Sequence, residues 1–322
     1  MNIAVIGLGS MGKRRIRLIR GMYPDYPIVG IDERPDRRTE VEEQFKIDTF
    51  DSTGKIDRKI DCAFVCTSPL SHALVIKECL GRKWHVFTEL NLIDAGYIEN
   101  MRMAKDNGCV LFLSSTFFYR EEIKYIRKKV TEDKNWNYIY HIGQYLPDWH
   151  PWENYKDFFI GEKRTNGCRE IMAIELPWLI ATFGSIVNFN VVSDKMTGLN
   201  IGFHDNYMIQ LTHENGNKGT LVVDVVSPVA VRKFETYAEG SYLSWDGTPE
   251  SVCEFDPVSK SLMPVTLTEP TEHVAGYCSF VVENAYKNEI REFFDVVLED
   301  KTPLYGFEQD REILSLIDAI GA

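Results

Sequence analysis

The sequence of 322 residues has no long apolar run, and its N-terminal apolar stretch is short. A membrane-spanning helix needs roughly 18 or more consecutive apolar residues, so we expect none. No basic residues precede the first apolar stretch, and we therefore expect no secretory signal peptide. Internal repeats and low-complexity linkers are absent as well.

The sequence also lacks cysteine pairs and a long basic tract. Its seven cysteines are scattered and none belongs to a C-x-x-C pair, which indicates a reduced, cytoplasmic chain and no zinc site. The formal net charge of −12 disfavours nucleic acid as a partner, because such binding requires a basic surface. We therefore expect the protein to bind a small molecule, and we expect neither nucleic acid nor a membrane as a partner.

The order of the predicted elements indicates an α/β protein with two domains. Apolar strands alternate with helices over the first third of the chain, which is typical of a parallel, doubly wound sheet. After about Tyr119 short strands follow one another, and Asn215-Gly216-Asn217 predicts a hairpin between two of them. We therefore predict a first domain with a parallel sheet over residues 1–118. An α+β domain with a large, mostly antiparallel open sheet is predicted over residues 119–322.

The first twelve residues carry the most specific motif. The apolar strand Asn2–Ile6 leads into a G-x-G-x-x-G sequence, and a helix follows over Lys13–Met22. In this motif the first glycine makes a tight turn, the second admits a pyrophosphate, and the third allows close helix–strand contact. The free N–H groups at the start of the helix attract the phosphates. The domain over residues 1–118 is therefore predicted to bind a dinucleotide. We predict cofactor contacts from these loop residues: Gly7, Gly9, Ser10, Met11 and Gly12.

A second strand, Ile28–Ile31, ends in Asp32, twenty residues after Gly12. A carboxylate at this spacing binds the adenosine ribose hydroxyls, so NAD is the expected cofactor. Arg34 is near enough to lie over the adenine or to meet a 2′-phosphate, which keeps NADP possible. Because ligands of such sheets lie beyond the carboxyl ends of the strands, Thr67–Pro69 and Glu89–Asn91 should lie near the site.

Together these residues resemble the Gfo/Idh/MocA family of nicotinamide-dependent sugar oxidoreductases. The sequence from Cys66 to His72 is similar to the family's T-P-x-x-x-H turn, and the sequence ending at Glu89 is similar to the strand before its E-K-P motif. The resemblance implies a Rossmann domain followed by a domain with a large open sheet. It also implies cofactor contacts from Thr67, Pro69, His72 and Glu89.

The departures from the family pattern concern proton transfer. Leu90 stands where the family has its lysine, and Asn91 replaces the following proline. A second stretch resembles the family's G-x-x-D-x-x-x-H-E-x-D helix. On that register the matching positions are Gly167, Glu170, Ile174, Glu175 and Pro177. Ile174 therefore falls on the catalytic histidine, and neither leucine nor isoleucine can accept the hydroxyl proton that hydride transfer releases.

If the protein transfers a hydride, a residue other than the family's lysine and histidine must carry the proton. We expect Glu175, His150 or Glu170 to fill this role, in that order. A shift of the register by one residue would place Glu175 on the histidine, and this alternative stays open. Since positions 170, 174 and 178 share one helix face, Trp178 should look into the same cleft as Glu170.

Several polar or aromatic residues are candidates for substrate binding: Asn91, Trp149, Arg169 and Trp178. The loop Leu146–Tyr155 contains Trp149, His150 and Trp152, which suit either stacking on a sugar ring or packing beneath the sheet. Arg169 could bind a substrate anion or pair with a neighbouring acid. For the loop and for Arg169 alike, both alternatives stay open.

The sequence thus predicts an NAD(P)-dependent oxidoreductase that acts on a sugar or nucleotide-sugar derivative. The alternatives are a dinucleotide-binding protein without net redox activity, or a lyase or hydrolase that uses bound NAD transiently. The open sheet of the C-terminal domain has a face available for self-association, which predicts a homodimer or homotetramer.

Overall fold

The structure, a computed structural model, describes residues 1–130, 133–149, 154–267 and 282–322. It divides into a first unit, Met1–Ser115 with Tyr286–Leu314, and a second unit, Thr116–Ala285 with Ser315–Ala322. The predicted domains were contiguous, with a boundary after residue 118. In the structure residues 286–314 group with the first unit instead, because they contribute to its hydrophobic core.

The first unit contains a sheet of six described strands. Its strands are β1 (Ile3–Ile6), β2 (Ile28–Ile31), β3 (Thr49–Phe50), β4 (Cys62–Val65), β5 (His85–Thr88) and β6 (Leu111–Leu113). The helices between them are α1 (Ser10–Met22), α2 (Pro35–Phe45), α3 (His72–Gly81) and α4 (Tyr97–Asn107). The strands pair in parallel in the order β3-β2-β1-β4-β5-β6, which is that of a Rossmann fold. The predicted parallel, doubly wound sheet is confirmed.

The sequence of β1 does not alternate between apolar and polar residues, and the place of this strand in the sheet explains why. β1 lies in the middle of the sheet, and all four of its residues are buried. A strand covered on both faces has no side for a polar residue, so its sequence reads as a continuous hydrophobic run.

The second unit is built on an eight-stranded sheet of described residues. Its strands are β7 (Asn137–Gly143), β8 (Ile186–Asp194), β9 (Asn206–His213), β10 (Lys218–Asp224), β11 (Val231–Ala238), β12 (Ser241–Trp245), β13 (Cys253–Asp256) and β14 (Ser261–Pro264). Helix α5 (Glu121–Lys129) precedes β7, and helix α6 (Gly167–Phe183) lies between β7 and β8 in the sequence. The strand order is β14-β13-β12-β11-β7-β10-β9-β8, and β7 and β10 pair in parallel while the other neighbours are antiparallel. This confirms the mostly antiparallel open sheet and the hairpin at residues 215–217.

Alternation along the strands gives the sheet one buried and one open face. In β7 the side chains of Tyr138, Tyr140 and Ile142 are buried, whereas Ile139 between them is exposed. Helix α6 packs against β9 and β10 on the buried face. The sequence did not predict β13 and β14, because neither strand is buried enough to produce alternation.

The chain ends in helices α7 (Glu283–Glu299) and α8 (Phe307–Ile320), and a boundary between the units falls within each. Among the helices of the described residues, none combines the length and apolarity that a bilayer crossing requires.

An aromatic cluster binds α7 to the sheet of the first unit. Phe64, Phe87 and Phe112 are register partners on β4, β5 and β6, and their ring centroids are 4.8 and 5.3 Å apart. The edge of the Phe293 ring from α7 meets all three rings at 5.2 to 5.7 Å. Edge-to-face pairs of this kind add to the stabilisation that burial itself gives.

We therefore expect Phe293→Ala to lower the free energy of unfolding by about 3–5 kcal/mol, because it removes a fully buried ring from this cluster. Chemical denaturation followed by circular dichroism measures the change. Leu298→Ala is the control on the same helix: this side chain is exposed, and its loss should change the stability by less than about 0.5 kcal/mol. Equal effects of the two substitutions would contradict the proposed role of Phe293.

Candidate dinucleotide site and proton-transfer groups

Two glycines of the loop after β1 are required by close backbone contacts. Gly7 has a φ of +91°, and a Cβ atom there would lie 2.6 Å from the carbonyl oxygen of Cys66. A Cβ atom on Gly12 would lie only 1.9 Å from the carbonyl oxygen of Gly7. Helix α1 thus begins directly against the loop, and any side chain at position 12 would force the two apart.

The space above Gly9 fits a pyrophosphate. A Cβ atom there would approach only the guanidinium of Arg37, at 3.7 Å, so the backbone is accessible. Gly9 is the N-cap of α1, and no side chain caps the helix. The first N–H groups of a helix lack partners within it and carry its positive dipole end, which favours an anion. Ser10 and Met11 supply two of these N–H groups, and Ser10 is exposed.

Asp32 lies at the end of β2 and is anchored by two backbone groups. Its Oδ2 accepts a hydrogen bond from the Leu8 N–H at 2.8 Å, and its Oδ1 accepts one from the Arg34 N–H at 2.9 Å. Each carboxylate oxygen keeps a further lone pair for a ribose hydroxyl. The structure therefore holds Asp32 beside the glycine loop, where its predicted ribose contact remains a prediction.

Arg37, which the sequence analysis did not select, lies closer to this region than Arg34. The Arg34 guanidinium pairs with Asp36 at 2.6 Å. By contrast, Nη1 of Arg37 is 3.6 Å from Oδ2 of Asp32. Arg37 lies in the first turn of α2, and the helix geometry points it back toward β2, which a plain charge pattern does not reveal.

His72 connects the segments that follow strands β4 and β5. One ring nitrogen, Nε2, lies 2.9 Å from the carbonyl oxygen of Thr67, and the other, Nδ1, lies 2.6 Å from Oδ1 of Asn91. Burial lowers the pKa of His72, whereas its contacts with the Asn91 and Thr67 oxygens act in the opposite direction. Pro69 and Asn91 are buried as well, and Asn91, selected as a substrate contact, directs its side chain to His72. These contacts of His72 hold the segments around Thr67 and Asn91 together.

Glu89 is held by a buried arginine that sequence reasoning missed. Nε of Arg15 lies 2.6 Å from Oε1 of Glu89, and Nη2 lies 2.7 Å from Oε2 of Glu289 on α7. Burial opposes the charge of Arg15, but the two carboxylates outweigh this effect and raise its pKa. Leu90, at the position of the family lysine, is half-buried and offers no polar group.

In the second unit Glu175 is locked within the core. Its carboxylate accepts hydrogen bonds from the Tyr140 hydroxyl at 2.8 Å, from Nε1 of Trp178 at 2.7 Å and from Nη2 of Arg232 at 2.7 Å. Glu175 and Trp178 are both fully buried. The expectation that Trp178 looks into a cleft with Glu170 is therefore wrong, because its indole packs in the core against Tyr140.

Glu170 differs from Glu175 in its burial and in its hydrogen bonding. It is half-buried, and no hydrogen bond or ion pair of its carboxylate is found within the described residues. Burial raises its pKa to about 7. Ile174, one turn further along α6, is half-buried too, so this face of the helix is less covered than the face of Glu175.

The remaining candidates are placed as follows. Trp149 is half-buried and packs on the first turn of α6, since a Cβ atom on Gly167 would lie 2.5 Å from its Cζ3. Arg169 donates to Oδ1 of Asp318 at 2.6 Å and to the carbonyl oxygen of Ala322 at 2.8 Å, so it takes the ion-pair alternative. His150 and Trp152 lie outside the described residues.

The sequence analysis did not select one pair of side chains, which consists of a histidine and an aspartate. Nε2 of His141 on β7 lies 2.7 Å from Oδ2 of Asp224 at the end of β10. His141 is partly exposed, and the pairing depends on the parallel register of the two strands, which the sequence does not reveal. Within the residues that the structure covers, no cluster of three or more histidine, cysteine or acidic side chains could hold a metal ion.

The glycine loop, Asp32 and the strand order define a dinucleotide-binding protein of the Rossmann class. Residues 1–114 match the Gfo/Idh/MocA family model, described as an oxidoreductase family with an NAD-binding Rossmann fold. The predicted resemblance is thereby confirmed over residues 1–114, together with the predicted NAD cofactor. No curated protein matches the sequence.

Solved structures resemble nearly the whole chain. UDP-N-acetylglucosamine 3-dehydrogenase GnnA from Acidithiobacillus ferrooxidans is 15% identical, with a TM-score of 0.77 over 99% of this chain and 96% of that chain. An Agrobacterium radiobacter oxidoreductase in complex with NAD+, L-tartaric acid and magnesium is 11% identical, with a TM-score of 0.83 over 99% and 94%. Biliverdin reductase from Synechocystis sp. PCC 6803, in complex with biliverdin and NADP+, is 14% identical, with a TM-score of 0.77 over 99% and 97%. At such identities the similarity concerns the fold.

We expect Gly12→Ala to weaken NAD binding by about tenfold or more and to destabilise the chain by about 1–3 kcal/mol. The added methyl group collides with the carbonyl oxygen of Gly7. Calorimetric titration with NAD and chemical denaturation measure the two effects. Gly21→Ala is the control on the same helix: no atom lies within 4 Å of its Cβ position. It should leave NAD affinity unchanged and add up to about 1 kcal/mol of stability. Unaltered binding by Gly12→Ala would contradict the assigned contact.

Proposed function

We propose that the protein oxidises or reduces a sugar-type small molecule with NAD(P), and that Glu170 carries the proton. The first unit supplies the dinucleotide site, whose glycine loop and helix N-terminus fit a pyrophosphate. The observation that carries the proposal is the half-buried Glu170, whose pKa is raised to about 7. A general base is most effective when its pKa lies near the working pH.

A bound nicotinamide would supply the acceptor for a hydride from the substrate carbon. As the C–H electron pair leaves, the carboxylate of Glu170 takes the hydroxyl proton and a carbonyl group forms. In the reverse direction the protonated Glu170 returns this proton to the alkoxide. Its raised pKa suits both directions, because both protonation states are populated near pH 7.

Glu170 is a better proton carrier than Glu175, which stood first in the sequence-based order. Glu175 already accepts three hydrogen bonds, one of them from the Arg232 guanidinium. This carboxylate is needed for the ion pair, because turning it toward a substrate would leave a buried arginine without its counter-ion. Glu175 is therefore proposed as a structural group, and His150 keeps its place as a second candidate.

A sugar-type substrate is supported by an aromatic side chain near the proposed base. Trp149 packs on Gly167, one helical turn before Glu170. Indole rings combine a large apolar surface with an N–H donor and suit the apolar face of a sugar ring. Two of the similar structures are a UDP-N-acetylglucosamine dehydrogenase and a levoglucosan dehydrogenase. A cytoplasmic location belongs to the same proposal, and the six described cysteines are free thiols.

A second candidate function is dinucleotide binding without net redox chemistry, as a sensor or partner subunit. Leu90 and Ile174 favour it, because hydrocarbon stands where the family has its lysine and histidine. A lyase or hydrolase that uses NAD transiently is a related alternative. Consumption of a substrate without a lasting change in nicotinamide absorbance would distinguish the transient use of NAD from net oxidation.

We also propose that two copies of the chain associate through the open face of the second sheet. Val192, Met208 and Val222 are register partners on β8, β9 and β10 and therefore point to the same side. Val192 and Met208 are 74% and 55% exposed, and Ile139 on β7 is 46% exposed. A contiguous exposed apolar patch on a sheet indicates an interface, and a second copy offers a complementary patch by symmetry.

We expect Glu170→Gln to reduce kcat about 10²–10⁴-fold without changing NAD affinity. With a panel of sugars and nucleotide sugars, reduced nicotinamide is followed by its absorbance. In the oxidation direction the native rate should rise with pH up to about 7 and then level off, and the variant should lose this dependence.

Glu162→Gln is the matched control, since this exposed acid shortly precedes α6 and should retain full activity. Glu175→Gln should instead lower the unfolding free energy by about 3–5 kcal/mol, because it removes the counter-ion of Arg232. Native turnover in Glu170→Gln would exclude this residue as the base. Absence of turnover with every sugar, despite measurable NAD binding, would count against the oxidoreductase function itself.

Met208→Glu should convert the native oligomer into a smaller species, because it places a charge in the centre of the open face. Size-exclusion chromatography with light scattering measures the mass, and circular dichroism verifies the fold. Val258→Glu is the control, since this residue is 90% exposed and lies between β13 and β14. A monomeric native protein, or an unchanged mass for Met208→Glu, would refute this interface.

A further inference from the structure

The strand order of the first unit indicates where the two halves of a dinucleotide are expected. The glycine loop follows β1, and Asp32, the expected partner of the adenosine ribose, follows β2. Because the two nucleotide halves extend in opposite directions from the pyrophosphate, the nicotinamide half is expected on the side away from β2. On that side β4 is the neighbour of β1, and β5 is next. The nicotinamide is therefore expected beside the segments Cys66–His72 and Glu89–Asn91, which follow these strands.

Glu89 is the charged and partly exposed side chain of these two segments. Its side chain is 13% exposed, and the hydrogen bonds that it accepts from described residues reach only Oε1, so Oε2 keeps its lone pairs. Burial raises the pKa of the Cys66 thiol, which therefore carries no charge. Leu90 and Asn91 follow Glu89 and are uncharged. The expected nicotinamide end thus presents a carboxylate.

The cations near Glu89 are buried. Nε of Arg15 donates to Oε1 of Glu89 at 2.6 Å, but the side chain of Arg15 has no exposed surface. Its second acidic partner, Glu289, is fully buried as well. Arg14 and His72, the other basic side chains close to this group, are also buried. The partly exposed member of this group of charges is therefore an acid.

A carboxylate at this place distinguishes the two redox states of the cofactor. The nicotinamide ring carries a positive charge when it is oxidised and none when it is reduced. A carboxylate close to the ring attracts the oxidised form, and the attraction is stronger at a partly buried site than in water. Leu90, at the position of the family lysine, adds no cation that would oppose this attraction.

We propose that Glu89 makes the site bind the oxidised dinucleotide more tightly than the reduced one. This inference rests on the proposed NAD(P)-dependent function and concerns the direction of that reaction. Each tenfold preference for the oxidised form lowers the reduction potential of the bound cofactor by about 30 mV and thereby favours reduction of the substrate. In this direction the hydride leaves C4 of the nicotinamide for the carbonyl carbon, and the carbonyl oxygen takes the proton of Glu170. The products are the oxidised cofactor, an alcohol and the Glu170 carboxylate.

The test measures the ratio of the dissociation constants of NADH and NAD+ by isothermal titration calorimetry. For the native chain we expect a ratio of about ten. Glu89→Gln keeps an oxygen for Arg15 but removes the charge, so the ratio should fall to about one. Leu90→Lys leaves Glu89 in place and adds a cation at a half-buried position, so it should lower the ratio to a similar extent.

Asp94→Asn is the matched control, because it removes a carboxylate only five residues after Glu89. This side chain is 55% exposed and lies 3.8 Å from the Arg311 guanidinium, so solvent and this cation screen its charge. The ratio should change by less than about twofold. Circular dichroism verifies that each variant is folded. If Glu89→Gln does not fold, the ratio for Leu90→Lys decides.

A native chain that binds NADH as tightly as NAD+, or more tightly, would overturn the inference. An unchanged ratio in the folded Glu89→Gln or Leu90→Lys variant would overturn it as well, as would an equal fall in Asp94→Asn. Each of these results leaves the proposed function intact, because both forms of the cofactor still bind. Binding of neither NAD+ nor NADH to the native chain would instead refute the proposed function.

Discussion

The contact between two glycine backbones underlies the cofactor site. Helix α1 can begin against the loop after β1 only because position 12 has no side chain: a Cβ atom there would lie 1.9 Å from the carbonyl oxygen of Gly7. This contact directs the open N-terminus of α1 toward the space above Gly9. Asp32 then reaches the Leu8 N–H and fixes the end of β2 to the same loop. The predicted pyrophosphate and ribose contacts thus both depend on one close approach of two backbone segments.

Burial separates the two acidic residues of α6, both of which the sequence analysis selected as candidate proton carriers. Glu175 faces the sheet, where Tyr140, Trp178 and Arg232 supply donors, so its charge is compensated, which supports the structural role proposed for it. Glu170 is less enclosed and has no such donors within the described residues, and desolvation alone raises its pKa. One helix therefore provides both a rigid ion pair and a group with a proton affinity suited to catalysis.

Much of the fold and of the cofactor site was predictable because the relevant signals are local. The glycine spacing, the apolar run of β1 and the acid after β2 depend on neighbours within one βαβ unit. The proton-transfer groups were not predictable in the same way. Whether Glu175 is free or paired depends on Arg232, 57 residues away, and the pairing of Arg15 with Glu289 spans 274 residues. Sequence spacing carries no information about such contacts.

The sequence by itself determined the class of fold and the cofactor, since glycine freedom and hydrophobic periodicity act over a few residues. Only the tertiary structure decided which polar and charged side chains are available for chemistry. It enclosed Glu175 and Asn91, turned Arg169 to Asp318, and left Glu170 and Arg37 without hydrogen-bond partners among the described residues. The physical reason is that burial and pairing determine the reactivity of a charged group, and both depend on segments that are distant in the chain.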